Sequence, residues 1–80
     1  MARILKLPSV VERTGKSRSP IYVDIQLGLL PRPVKLGARA VGWPEHEIDQ
    51  IIAARIAGKS EKDIRALVER LHAERARAAA

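Results

Sequence analysis

Apolar positions recur at two different spacings along this chain, and each change of period marks a new element. Leu7, Val10 and Val11 share one side of a helical turn, behind Pro8 and ahead of Gly15. Ser9 and Glu12 have the spacing of a capping box, so a short first helix is predicted over residues 9–14, stopping at Gly15. Ile21, Ile25 and Leu29 then repeat every four residues. This second helix takes Ser19 as its N-cap, Pro20 as its first residue and Gly28 as its stop. After Pro31 and Pro33 the period drops to two. Val34 and Leu36 face one way and Lys35 the other, Gly37-Ala38-Arg39 forms a turn, and Val41 and Trp43 alternate on the return. A hairpin this short needs support, which Trp43 supplies by packing as a core residue against the helices.

The helical period returns after Pro44. Ile48, Ile51, Ile52 and Ile56 form the apolar stripe of a third helix, with acidic residues in its first turn and Gly58 at its end. Ser60 caps a fourth, whose stripe is Ile64, Leu67, Val68 and Leu71. From Arg75 to Ala80 the residues favour helix but have no apolar face, and a frayed end is expected. The fold class is therefore mainly α with a small β-hairpin. Two short helices across a Gly-containing turn make a helix-turn-helix, the hairpin makes a wing, and a C-terminal helix follows.

Charge changes the picture. Residues 1–43 hold eight basic side chains against Glu12 and Asp24, whereas residues 44–80 hold seven of each sign, so the net +6 belongs to the first half. A local positive field on a small domain points to a polyanion, with nucleic acid the first candidate. One Tyr, one Trp and no Phe are too few for stacking on single strands. A helix in a duplex groove needs no ring at all. Eighty residues without Cys make one domain with no disulfide framework or thiolate chemistry, and fit a reducing cytosol. The first residues lack a signal-peptide core, and no apolar run approaches the ~18 residues that span a bilayer.

Several fragments that suggest chemistry lack its other half. Gly58-Lys59-Ser60 ends like a phosphate-binding loop, but Ala53 stands where that motif requires Gly. His46 and His72 have neither Cys nor a second His at ligand spacing, so no metal or other cofactor is expected. No nucleophile and base pair has a pocket to work in, and enzymatic activity is not expected.

Leu7-Pro8-Ser9-Val10-Val11-Glu12-Arg13-Thr14-Gly15, followed by Ser17-Arg18-Ser19 and Ile21-Tyr22, then Pro31-Arg32-Pro33-Val34-Lys35-Leu36-Gly37 and Gly42-Trp43, resembles the AlpA-type phage regulators. These sit within the wider MerR-like and excisionase-like winged helix-turn-helix group. The resemblance covers about residues 4–57 and rests on a Ser-Arg-Ser turn paired with a Pro-x-Pro-x-x-Leu-Gly wing. It implies a small cytosolic DNA-binding regulator of a prophage or integrated element. Pro20 departs from the family's usual Ser or Thr, removing a hydroxyl and an amide from the start of the second helix, and Val23 stands where a basic residue is common.

On that basis Lys16, Ser17, Arg18 and Ser19 are the expected DNA contacts at the front of the second helix. Arg18 can pair with guanine or hold a phosphate. Tyr22 either packs under the wing or reaches a phosphate. Arg32, Lys35 and Arg39 surround the wing and face the backbone or a groove. The expected organisation is a winged helix-turn-helix domain at residues 1–58 and a C-terminal helix at 59–80, packing on the third helix or dimerising. The expected function is sequence-specific binding of double-stranded DNA for transcription regulation. The alternatives are an excisionase-type DNA-bending factor and, from another class, a helical protein-interaction module using the stripe Ile64, Leu67, Val68, Leu71.

Overall fold

The computed structural model describes residues 3–79. Met1, Ala2 and Ala80, which the readings of the N-terminal segment and the C-terminal end include, lie outside the described residues. Two helices form the helix-turn-helix: α1 at Leu7–Thr14 and α2 at Arg18–Gln26. A hairpin follows, β2 at Val34–Lys35 and β3 at Val41–Pro44, and then α3 at Glu45–Ile56 and α4 at Glu61–Ala79. A further strand, β1 at Ile4–Leu5, precedes α1 and has no counterpart in the periodicity. It pairs antiparallel with β3, Leu5 opposite Trp43, giving a three-stranded sheet in the order β1-β3-β2. The hairpin closes where alternation and Gly37 place it: Val34 opposes Gly42, Lys35 opposes Val41, and the Leu36 amide donates to Ala40 at 2.8 Å.

Gly42 sits in the middle strand with neighbours on both edges. A Cβ there would run into the Ile4 side chain and lie 3.0 Å from the Leu5 carbonyl oxygen and 3.1 Å from Leu36. β1 can close on β3 this tightly only because this side chain is absent.

Two helix starts differ from those the sequence predicts. Lys6, not Ser9, is the N-cap of α1, which places Pro8 and Ser9 inside the first turn and leaves no capping-box hydrogen bond. Ser17, not Ser19, is the N-cap of α2, so Pro20 is its third residue. Both starts shift for one reason: the first-turn amides have no intrahelical partner, so a proline there forfeits nothing. The helix ends follow the glycines, with Gly15, Gly28 and Gly58 at φ 73°, 76° and 75°. At the start of α4 the Ser60 hydroxyl accepts the Asp63 amide at 3.2 Å.

One core joins every helix and the sheet. Trp43 is fully buried and donates its indole N–H to the Pro31 carbonyl at 3.0 Å. The same core holds Val10, Ile21, Ile48 and Ile51 from the first three helices and Leu29 from the segment after α2. From α4 come Ile64, Val68 and Leu71, while Leu67 is only half-buried. Ile56 does not belong to the stripe of α3. It is 82% exposed, because it is the last residue of that helix and the chain turns away at Gly58.

The segment expected to fray begins with an anchored residue. α4 remains helical through Ala79, and Arg75 grips Glu47, a carboxylate on α3 that is 1% exposed.

Candidate nucleic-acid interface

The turn between α1 and α2 is short because Gly15 ends the first helix in the left-handed region and Ser17 already caps the second. Ser17 makes no side-chain capping bond, so its hydroxyl is not spent on the helix. Arg18 and Ser19 form the exposed first turn, and Tyr22, four residues beyond Arg18, is 40% exposed on the same side. Ile21 and Asp24 point inward and fix which side of α2 faces out. Val23, where the family commonly has a basic residue, is 49% exposed on that outer side. Sequence reasoning passed over Gln26, which continues the row one turn beyond Tyr22. The i, i+4 spacing from Arg18 through Tyr22 was the available signal for Gln26.

The hairpin presents a second group. Lys35 on β2 and Arg39 at the tip are exposed and enter no salt bridge among the described residues. Arg32 precedes the hairpin with an exposed side chain, but its backbone is held: its amide donates to His72 Nε2 at 3.1 Å and its carbonyl accepts from Arg75 at 2.8 Å.

Lys16 is placed differently from its neighbours in the turn. Its ammonium lies 2.5 Å from Asp24 Oδ2, and Arg55 approaches the same oxygen at 3.9 Å. Arg13 is paired as well, at 2.7 Å from Glu45 and 3.1 Å from Asp49. Its guanidinium is held above its ordinary pKa chiefly by the hydrogen bond to Glu45, with Asp49 adding to it. The positive field of residues 1–43 is therefore partly neutralised by α3, which folds two carboxylates back onto α1. Among the described residues of that half, the cations outside ion pairs are Lys6, Arg18, Arg32, Lys35 and Arg39.

A cleft of about 260 Å³ between α1, α2 and α3 has an apolar floor that includes Leu29, Leu30 and Ile52. The cations on its rim, Arg13, Lys16 and Arg55, already face the molecule's own carboxylates. Among the described residues, no three His, Cys, Asp or Glu side chains come together in a way that could hold a metal ion. No described helix is long and apolar enough to cross a membrane.

Residues 3–56 match the family described as the prophage CP4-57 regulatory protein (AlpA). A protein of Enterobacteria phage P4, described as uncharacterized protein ORF88, is 42% identical over 57 residues, covering 71% of this chain. The matched region spans 65% of that relative's length, just under two thirds. The DNA-binding transcriptional activator AlpA of Escherichia coli (strain K12) is 37% identical over 59 residues, covering 66% of this chain and 84% of the relative. No solved structure matches the chain.

Proposed function

The chain belongs to the AlpA family of prophage regulatory proteins, and on that premise we propose that it is a sequence-specific regulator of transcription that binds double-stranded DNA. The observation that carries this reading is the exposed row at the start of α2. Ser17, Arg18, Ser19 and Tyr22 project from one helix, and neither serine hydroxyl is engaged by a described side-chain hydrogen bond. In this reading α2 is the recognition helix and lies in a major groove. Arg18 reads a base edge, and Gln26 has the amide chemistry suited to adenine. Arg32, Lys35 and Arg39 bring the wing to the phosphates or the minor groove. Lys16 contributes least, because a phosphate must displace Asp24 to reach it.

The resemblance to a phage P4 protein and to a prophage regulator supports a setting in an integrated element. The interaction-module alternative requires the stripe on α4 to be accessible, and Ile64, Val68 and Leu71 are inside the core.

Salt titration of duplex binding tests the proposal. Three phosphate contacts, from Arg32, Lys35 and Arg39, give a slope of log affinity against log salt of about −2.7 per protomer, at roughly 0.9 per contact. Arg39→Ala should weaken binding to every duplex alike and flatten the slope by about one contact. Arg18→Ala should cost about 1–3 kcal/mol on a selected site and much less on random DNA. If neither variant loses affinity for any duplex, DNA is not the partner.

A further inference from the structure

The segment from the end of α2 to the start of β2 is the only covalent link between the proposed recognition helix and the wing. Side chains from elsewhere hold its backbone at both ends. Arg65 Nε donates to the Leu27 carbonyl at 2.9 Å. Near the other end, Trp43 donates to the Pro31 carbonyl, His72 Nε2 accepts the Arg32 amide at 3.1 Å, and Arg75 Nη2 donates to the Arg32 carbonyl at 2.8 Å. Pro33 has no N–H to offer, so the Arg32 amide is the last backbone donor before the β2 ladder begins. Three of these four side chains come from α4, which lies beyond the residues 3–56 that the family match covers.

We propose that Arg65, His72 and Arg75 are positioning residues for DNA binding, through which α4 fixes the wing cations relative to the recognition helix. The role rests on the DNA-binding reading above. Arg75 is suited to it because its guanidinium also forks onto the buried Glu47 carboxylate, which anchors the brace to α3.

His72 makes the brace conditional. A neutral imidazole has one acceptor nitrogen, and here the shorter approach is from the Arg32 amide; Arg32 Nη1 lies 3.4 Å from Nδ1. A protonated ring accepts from neither and adds a cation beside Arg32 and Arg75, with Glu47 on α3 the one carboxylate facing it among the described residues. Burial, and after it those two arginines, accordingly hold His72 below its ordinary pKa. The wing should loosen as the ring takes up a proton.

The test uses the full chain and its His72→Gln variant, whose side-chain oxygen can accept the amide but does not titrate. Amide NMR signals of Arg32, Lys35 and Arg39 in the free protein are followed from about pH 7.5 to about pH 5.5. Affinity for a fluorescein-labelled random-sequence duplex is measured over the same range. In the wild type the wing amides should move together with the His72 ring, and affinity should fall on the order of two- to tenfold more than in His72→Gln. Arg39→Ala should also cost less affinity in a His72→Ala background than alone, because a displaced wing has already lost that contact. Wing amides that ignore the His72 titration, or superimposable affinity profiles, would overturn the brace. Wing amides that follow His72 in a protein that binds no duplex would instead overturn the DNA reading, and the positioning role with it.

Discussion

Arg75 Nη2 lies 2.5 Å from Glu47 Oε1, and Arg75 Nε donates to both oxygens of the same carboxylate at 2.9 and 3.1 Å. Glu47 is 1% exposed, so one side chain near the end of α4 compensates a charge that the rest of the domain has buried. A buried pair adds little over an apolar substitute, but a buried charge deprived of its partner is severe. Arg75→Met should therefore cost about 3–5 kcal/mol in urea unfolding. The double variant Glu47→Gln with Arg75→Met should recover a large part of that loss. If the single variant unfolds at the wild-type midpoint, water or another cation already serves Glu47.

Burial, not residue type, should rank substitutions in the apolar stripes. Leu71 is fully buried, and Leu71→Ala should cost about 2–5 kcal/mol. Ile56 occupies an equally regular position in the sequence pattern, yet at 82% exposure Ile56→Ala should stay within about 0.5 kcal/mol of wild type. Thermal or chemical melts of the two variants make the comparison, and equal losses would mean that α3 and α4 pack differently in solution.

Trp43 carries both packing and a hydrogen bond. Trp43→Ala should cost about 3–5 kcal/mol, and any loss of DNA binding should accompany the loss of stability. Trp43→Phe should keep most of the packing but leave the buried Pro31 carbonyl without its donor, a penalty of about 1–3 kcal/mol. A well-folded Trp43→Ala protein that no longer bound DNA would instead make the ring a contact residue.

Stability should depend on pH through His72. Its folded-state pKa is lowered, first by burial and then by Arg32 and Arg75. The unfolded chain therefore takes up the proton first as pH falls. The stabilisation of the neutral ring is fully present above the unfolded value of about 6.5 and declines as pH drops through the folded value. His72→Gln should remove this component of the acid-side loss, which melts across the mildly acidic range would register. A steeper acid loss in the variant would contradict the sign.

The local features were readable from the chain alone because their causes are local. Glycines that adopt positive φ end α1, α2 and α3 close to where the periodicity stops, and the tight turn at Gly37-Ala38-Arg39 follows from alternation on either side of it. The inward side of α2 was evident in the repeat of Ile21, Ile25 and Leu29, although Ile25 is only half-buried. That repeat also left Arg18 and Tyr22 facing outward, so the core of the candidate interface was legible. Which cations remain available was not. Lys16 is drawn to Asp24, and Glu45 and Asp49 reach Arg13 from more than thirty residues away.

The same distance in sequence hid β1, whose two residues become a strand only because β3 presents an edge to Leu5 and Ile4. It hid the exposure of Ile56, whose spacing is that of a core residue although no element covers it. Above all it hid the work of Arg75, which pattern alone assigned to a frayed end. A period reports how one element divides its faces, since side chains three and four apart must share a side. It carries no record of which distant group meets a given face. That is decided when the helices and the sheet close on one another, and here the closure places a cation from α4 on a buried carboxylate of α3 and on the backbone that leads into the wing.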